Sequence, residues 1–343
     1  MKKVLIVGGT GVISGAVARR ALEENWETTL LHRTASPAPE GAETLPADVN
    51  DADGVKRLLA GRRFDAVADF VAFRPQDILR DAALFADRTD QYLFVSSASA
   101  YQKPMNCFRI TESTPLRNPF WDYARGKIAC ETLLAELYRK DGFPVTVVRP
   151  SHTYGPTHVP VAFHGEKGCW QVLKRILDGK PVIVHGDGLS LWTVTWNEDF
   201  ARGFVGLLGN PAAVGETVHI TSDESVTWNQ IYGWIGKGLG KAPQLVHIAS
   251  DTLCAMRPSL TGPLLGDKAY SVSFDNAKIK RLAPGFAARV SAAEGIARAA
   301  AHLAETPSLQ VPDGEFDAWC DRAVRDYFSI LAGKREETSQ KQS

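Results

Sequence analysis

The sequence predicts an α/β protein in which a doubly wound parallel sheet, a Rossmann fold, is combined with a smaller C-terminal lobe. A short apolar run, Lys3–Val7, is followed at once by a glycine-rich turn and then by a helical pattern. Strand-like and helix-like segments then alternate as far as Pro156, which is typical of a parallel sheet covered on both faces. Beyond Pro156 the alternation is lost, so we expect the second lobe there.

The composition is that of an ordinary globular protein. Hydrophobic residues make up 44% of the 343 residues, and 39 basic residues balance 39 acidic ones. No basic excess indicates a nucleic-acid partner or an anionic membrane surface. The apolar run after Met1 breaks at Gly8, and the five cysteines are scattered without a CxxC motif. We therefore expect a cytoplasmic protein with no nucleic-acid or membrane partner.

A glycine-rich turn, Gly8-Gly9-Thr10-Gly11-Val12-Ile13-Ser14-Gly15, joins the first strand to the first helix. Ser14 stands where a third glycine is common. Glycine lets the backbone approach a pyrophosphate, and the N-terminus of the following helix receives its charge. Such a turn can be purely structural, but its place between an N-terminal strand and a helix favours dinucleotide binding.

The residues after the second strand, Thr28–Leu31, bear on the choice of dinucleotide. His32 and Arg33 follow it, without the acid that holds the ribose 2′-hydroxyl of NAD. Because an arginine accommodates a 2′-phosphate, NADP(H) is favoured and NAD(H) is the alternative. Arg33 could also be a solvated loop residue that tolerates either cofactor.

Two more strands continue the pattern, each followed by a helical segment. A short strand at 45–49 carries Asp48, an acid placed to meet the adenine. The next strand, Phe64–Phe73, contains Asp69, which is either a satisfied buried carboxylate or a neighbour of the cofactor.

A tyrosine and a lysine four residues apart form the candidate catalytic pair. Tyr123 and Lys127 lie near the start of a helix predicted over Phe120–Arg139, so their side chains share one face. A lysine charge favours the phenolate and lowers the pKa of a tyrosine below its reference value of about 10. This spacing also occurs by chance on amphipathic helices, so its meaning depends on its surroundings.

The strand before that helix, predicted over 91–101, ends in hydroxyl groups. Ser96, Ser97 and Ser99 follow its apolar part. Ligands of a doubly wound sheet bind at strand ends, although such serines can equally cap a helix or form a turn.

The second half of the chain mixes helices with short strands. Predicted helices cover 170–177, 197–208, 228–239, 287–304 and 316–331, and predicted strands cover 181–184, 191–196, 217–220 and 245–248. We expect residues 1–156 to form the dinucleotide-binding domain, with returning segments near 191–222. Residues 157–190 and 223–332 are expected to form the substrate-binding lobe, and residues 333–343 a disordered tail.

Together these motifs resemble the extended short-chain dehydrogenase/reductases, and most closely their NAD(P)-dependent epimerase/dehydratase family. The ordered set is Gly8-Gly9-Thr10-Gly11, Ser96-Ser97, Tyr123-x-x-x-Lys127, Arg149-Pro150 with Tyr154-Gly155-Pro156, Gly186-Asp187-Gly188, Trp196–Ala201 and Phe274–Lys278. Order along most of the chain is more specific than any single motif.

The resemblance implies roles for the matching residues. Tyr123 is expected to be the general acid/base, Lys127 to hold the nicotinamide ribose, and Ser97 to bind the substrate oxygen. The full catalytic set is thus Ser97, Tyr123 and Lys127. The predicted cofactor-binding residues are Gly8, Thr10, Gly11, Val12, Ile13, Arg33, Asp48, Val49, Val71, Ala72, Ser96, Tyr123, Lys127, Pro150 and His152. The predicted substrate-binding residues are Ser97, Ser99, His164 and Trp192.

Departures from the family pattern concern the substrate. Trp192 stands where nucleotide-sugar members carry a diphosphate-binding arginine, and a second such arginine is missing, with Lys268 as the candidate substitute. We therefore expect a sugar-like compound rather than a UDP- or dTDP-sugar. Trp192, Trp170 and Trp196 either line this site or are core aromatics. Ala98-Ser99 replaces the Asp-Glu of the dehydratases, which argues against dehydration.

The sequence thus predicts an NAD(P)-dependent oxidoreductase or epimerase that acts by hydride transfer at a secondary alcohol or ketone. The alternatives are a nucleotide-sugar epimerase with tightly bound NAD, or a non-catalytic RNA-binding or regulatory member. No metal site is predicted, because His152, His158, His164 and Cys169 lack a regular ligand spacing. The predicted partner is a small-molecule substrate, and a homodimer is compatible with the prediction.

Overall fold

The computed structural model describes residues 1–33 and 38–340, so residues 35–37 of a predicted loop and residues 341–343 of the predicted tail lie outside it. The strands are β1 Lys3–Val7, β2 Glu27–His32, β3 Glu43–Pro46, β4 Ala66–Asp69, β5 Tyr92–Val95, β6 Arg109–Ile110, β7 Val145–Pro150, β8 His152–Tyr154, β9 Pro181–His185, β10 Leu191–Trp192, β11 Val194–Trp196, β12 Thr217–Ile220, β13 Val226–Thr227, β14 Gln244–Ile248 and β15 Ser273–Phe274. The helices are α1 Val12–Glu23, α2 Ala52–Leu58, α3 Pro75–Phe85, α4 Asp122–Asp141, α5 Trp170–Leu177, α6 Asn197–Val205, α7 Trp228–Leu239, α8 Ser250–Met256, α9 Thr261–Pro263, α10 Ala277–Leu282, α11 Ala292–Glu305 and α12 Gly314–Gln340.

Within the described residues the central sheet contains seven strands in the order β12-β7-β5-β4-β1-β2-β3, and every neighbouring pair is parallel. Val4 and Ile6 belong to the core on one face, with α1 and α6, whereas Leu5 and Val7 belong to the core on the other face, with α2, α3 and α4. The predicted doubly wound parallel sheet is confirmed. Its strand order reverses between β1 and β4, which is where such sheets bind ligands.

The chain forms two compact units. The first contains residues 1–155, 193–225 and 272–291, and the second contains residues 156–192, 226–271 and 292–343. In the first unit β8 pairs with β11 and β6 pairs with β15. In the second, β9 pairs with β14, β10 pairs with β13, and α7 packs against α11.

Several elements differ from the sequence-based expectation. Residues 272–291 belong to the first unit rather than to the lobe, because β15 pairs with β6. The strand predicted over 191–196 is two strands, β10 and β11, in different units. The last helix continues to Gln340 through a stretch of good helix formers, Lys334 to Glu337, where the sequence predicts a disordered tail from residue 333. None of the described helices is long and apolar enough to cross a membrane.

Candidate active site

The glycine-rich turn connects β1 to α1 at the point where the strand order reverses. Gly8 has a φ of +109°, and a Cβ atom there would lie 2.9 Å from Cγ1 of Val71, so only glycine fits. Gly11 precedes α1, and its N–H donates to Oγ of Ser14 at 2.9 Å. Ser14 therefore supports the helix N-terminus at the place of the usual third glycine. Such a turn forms a cradle for a pyrophosphate.

A cavity of about 630 Å³ opens beside this turn in the first unit. Its lining residues are Val7, Gly8, Thr10, Leu31, His32, Arg33, Ala47, Asp48, Val49, Asn50, Val71, Phe73, Arg74, Asp77 and Arg80. Predicted cofactor residues among them are Gly8, Thr10, Arg33, Asp48, Val49 and Val71. Val12 and Ile13 begin α1 and do not line the cavity. The cavity thus gathers residues from the ends of β1, β2, β3 and β4.

Cationic side chains line the cavity beyond the end of β2. Arg33 is 73% exposed and its guanidinium lies 4.0 Å from the Asp48 carboxylate. Arg74 and Arg80 line the same cavity, and sequence reasoning missed both. His32 is buried, and neither of its ring nitrogens has a hydrogen-bond partner within the described part of the chain. These groups fit a ligand with phosphate and hydrogen-bonding groups, such as the adenosine phosphate part of a dinucleotide.

Tyr123 and Lys127 lie one turn apart at the start of α4. Tyr123 is 37% exposed, whereas Lys127 is 2% exposed. The Nζ atom of Lys127 donates hydrogen bonds of 2.7 Å to the carbonyl oxygens of Ala72, in the turn after β4, and of Val95, the last residue of β5. Burial lowers the pKa of Lys127 to about 8, and the Asp69 carboxylate opposes this effect most strongly. The lysine therefore ties the helix to two central strands and leaves the phenol accessible.

Aromatic rings surround this pair. Nζ of Lys127 lies 4.3 Å from the ring centroid of Phe73 and 4.8 Å from that of Phe94. The Tyr123 ring centroid lies 4.9 Å from that of Trp121 and 6.1 Å from that of Phe73. Because Phe73 also lines the cavity, it connects the cavity to the tyrosine. Sequence reasoning missed both Phe73 and Trp121.

The serines after β5 all have structural partners. The Ser96 hydroxyl donates to the Glu131 carboxylate of α4. Oγ of Ser97 accepts the Ser99 N–H at 3.2 Å and lies 2.9 Å from Oγ of Ser99, so it caps the 3₁₀ turn Ala98–Ala100. Ser96 and Ser99 are buried, and Ser97 is partly exposed. The contacts of Ser96 with the cofactor and of Ser99 with the substrate stay predictions, and the structure shows that both hydroxyl groups already have partners within the protein.

The remaining predicted residues lie elsewhere. Pro150 ends β7 and His152 begins β8, both in the first unit. His164 belongs to the second unit and is exposed, with its ring centroid 5.9 Å from that of His158. Trp192 also belongs to the second unit and is buried in β10, so the core alternative describes it. Over the described residues, no group of three or more His, Cys, Asp or Glu side chains is placed to hold a metal ion.

Two further residues shape the site and were missed. A Cβ atom at Gly126, inside the tyrosine–lysine motif, would lie 2.7 Å from the carbonyl oxygen of Phe73. A glycine in a helix interior was the available signal for such a close approach. Asn197 of α6 donates through Nδ2 to the Val12 carbonyl at 3.0 Å and so holds the start of α1.

Comparison with known proteins places these features in a family context. The model of the NAD dependent epimerase/dehydratase family matches residues 4–221. The chain is 25% identical over 289 residues to the 2′-dehydrokanamycin reductase of Streptomyces kanamyceticus, which covers 84% of this chain and 80% of that protein.

Two other proteins widen the comparison. The chain is 28% identical over 273 residues to the chloroplast stem-loop binding protein of 41 kDa b of Arabidopsis thaliana, covering 72% of this chain and 66% of that protein. This chain also shares its fold with the dTDP-glucose 4,6-dehydratase of Bacillus anthracis, solved in complex with NAD, with a TM-score of 0.72 and 17% identity. That match covers 90% of this chain and 98% of the dehydratase.

Proposed function

The chain belongs to the NAD dependent epimerase/dehydratase family and is an enzyme of that family, and on this premise we propose that it transfers a hydride at a secondary alcohol or ketone of a sugar-like compound. One observation carries the proposal. Lys127 is held by the carbonyl oxygens of Ala72 and Val95, one helical turn from the accessible Tyr123 and next to the cavity-lining Phe73. The arrangement couples a proton-transfer group to a cavity suited to a dinucleotide.

The proposed chemistry divides between the cofactor and the chain. When bound, the dinucleotide accepts or supplies the hydride. The Tyr123 hydroxyl donates its proton to the substrate oxygen in reduction and takes the proton back in oxidation. The Lys127 ammonium, 5.9 Å from the centre of the phenol ring, stabilises the phenolate and binds the ribose hydroxyls. Ser97 holds the substrate oxygen. A positioned acid/base contributes about 10²–10⁴-fold to such a rate.

NADP(H) is the proposed cofactor, and NAD(H) is the alternative. Arg33 supports NADP(H), because it follows β2 without an accompanying acid, lines the cavity and is largely exposed. Arg74 adds a second cation to the same lining. Two observations favour NAD(H): the Asp48 carboxylate lies near Arg33, and the solved dehydratase binds NAD.

A sugar-like compound without a nucleotide is the proposed substrate. The two diphosphate-binding arginines of the nucleotide-sugar members are missing from the sequence, and a buried tryptophan, Trp192, stands at one of their positions. A relative named for reducing 2′-dehydrokanamycin supports the same class. The alternative substrate is a nucleotide sugar, in which case the protein is a nucleotide-sugar epimerase that retains tightly bound NAD.

An RNA-binding role is a second candidate, favoured by the relative named as a stem-loop binding protein. Proteins that bind RNA mainly through its phosphates carry a basic excess, whereas basic and acidic residues are equal here, at 39 each. RNA binding that weakens as the salt concentration rises, together with no turnover, would favour the RNA-binding role over hydride transfer.

Mass spectrometry of the small molecules released from purified protein tests the proposal as a whole, with an NADPH fluorescence titration for any cofactor lost on purification. We expect mass spectrometry to find NADP(H), or NAD(H) if NAD(H) is the cofactor. If the cofactor is lost on purification, we expect NADPH binding that saturates in the titration. Bound RNA without any dinucleotide binding would contradict the proposal.

A further inference from the structure

A buried acidic cluster lies behind the turn that follows β4. Asp69, Asp81 and Tyr92 are each fully buried. The Tyr92 hydroxyl lies 2.7 Å from Oδ2 of Asp81 and 3.3 Å from Oδ2 of Asp69. Arg80 contacts Asp81 through Nε at 2.9 Å and donates through a terminal nitrogen to Asn50 at 2.7 Å. Because Arg80 and Asn50 both line the cavity, the cluster is connected to its wall.

Two carboxylates hold four consecutive N–H groups of this turn. Oδ1 of Asp69 accepts from Val71 at 2.5 Å and from Ala72 at 2.9 Å. Oδ2 of Asp77 accepts from the next two residues, at 2.8 and 3.0 Å. The turn is therefore fixed from both sides, and its Ala72 carbonyl receives the hydrogen bond from Lys127. A short chain of contacts runs from Asp69 through Ala72 to the proposed catalytic lysine.

The charge of the cluster supports the same connection. Burial, reinforced by the neighbouring Asp69 carboxylate, raises the pKa of Asp81 well above its ordinary value, against the effect of Arg80. Oδ1 of Asp69 accepts two backbone N–H groups, and such hydrogen bonds stabilise a negative charge on the accepting oxygen.

We propose that Asp69 is a positioning residue for Lys127: its carboxylate fixes the turn that presents the Ala72 carbonyl to Nζ of Lys127, and its negative charge acts on the buried ammonium. The inference rests on the proposed function, since that function gives Lys127 its role. Asp69 would act on Lys127 through the turn and through the electrostatic field of its carboxylate.

Other charged and titratable groups also face Lys127. Asp77 approaches from α3, and Cys130 and Glu131 lie on α4 itself. Asp69 is the strongest of these groups in raising the pKa of Lys127, and Asp77 is the weakest named. Asp77 is therefore a matched control, because it binds the other half of the same turn.

The test measures the proton affinity of Lys127 by NMR titration of ¹³C-labelled lysine in the full chain, in wild type, Asp69→Asn and Asp77→Asn. The asparagine keeps an oxygen for the Val71 and Ala72 N–H groups and removes the charge, with an NH2 group in place of the oxygen near the Tyr92 hydroxyl. We expect Asp69→Asn to lower the proton affinity of Lys127 at least about tenfold, and Asp77→Asn to lower it less than about threefold. An unchanged affinity in Asp69→Asn, or equal losses in both variants, would overturn the inference.

A wild-type measurement covers the case in which Asp69→Asn does not fold. The amide resonances of Ala72 and Phe73 flank the carbonyl that Lys127 binds, so they should titrate with the same midpoint as the lysine. Independent midpoints would overturn the inference. Neither readout needs a cofactor or turnover, so failure of the proposed function, seen as normal turnover by Tyr123→Phe, is a separate result.

Discussion

Gly126 of α4 and the carbonyl oxygen of Phe73 are in close approach: a Cβ atom at Gly126 would lie 2.7 Å from that oxygen. The helix that carries Tyr123 and Lys127 therefore passes directly against the turn after β4. This approach lets Nζ of Lys127 reach the Ala72 carbonyl at 2.7 Å. The glycine within the tyrosine–lysine motif thus has a steric reason.

Gly126→Ala is expected to destabilise the protein by about 1–3 kcal/mol, because the added methyl group forces α4 away from the turn. In an unobstructed helix the same change stabilises by up to about 1 kcal/mol, so its sign is informative. Gly233→Ala in α7 is the control, since nothing lies within 4 Å of a Cβ atom there. Urea unfolding of both variants measures the difference, and equal effects would count against the close approach.

Arg33→Ala is expected to weaken NADPH binding by about 10- to 100-fold and to change NADH binding little, because only NADPH carries the 2′-phosphate. Fluorescence titration with each reduced cofactor measures both affinities. Arg63→Ala is the control, because Arg63 binds Asp90 and the Asp87 carbonyl outside the cavity. Equal losses for NADPH and NADH would reverse the cofactor proposal.

Acid sensitivity is expected from His185 of β9, which is buried with Nε2 3.0 Å from the Lys268 carbonyl oxygen. Burial lowers its pKa to about 4 from an ordinary value of 6.5. Between these values the unfolded chain binds a proton that the folded chain does not. The contribution of His185 to the free energy of unfolding is therefore fully present above pH 6.5, and it decreases as the pH falls towards 4.

His185→Gln should remove on the order of 3 kcal/mol of this pH dependence, measured by urea unfolding from pH 7 to 4. His302→Gln, at an exposed position of α11, should follow the wild-type curve. Parallel curves for wild type and His185→Gln would contradict the assignment to His185.

Local patterns gave the parts of the fold that depend on nearby residues. The predicted bounds of β1, α5, β12 and α7 are those of the structure. The strand predicted over 64–73 ends at Asp69, because the chain turns there and the carboxylate accepts the next N–H groups. These acceptor contacts are local, whereas the return of residues 272–291 to the first unit depends on the pairing of β15 with β6, far along the sequence.

The site residues were predictable where a motif is contiguous in sequence, and less predictable where their contacts depend on the fold. The glycine turn and the tyrosine–lysine pair are read from spacing alone. The spacing of Ser96 and Ser99 does not show that the fold pairs their hydroxyl groups with Glu131 and Ser97. Phe73 and Trp121 have no recognisable motif, since their role comes from rings that the fold places beside Tyr123.

The central claim is that Tyr123 transfers the proton that accompanies hydride transfer. Its most direct test compares NADPH oxidation by wild type and Tyr123→Phe, with 2′-dehydrokanamycin and other keto sugars as probe substrates and an NADPH titration of each protein. We expect kcat to fall by at least about 10²-fold while NADPH affinity stays nearly unchanged. Turnover by Tyr123→Phe at the wild-type rate would contradict the account.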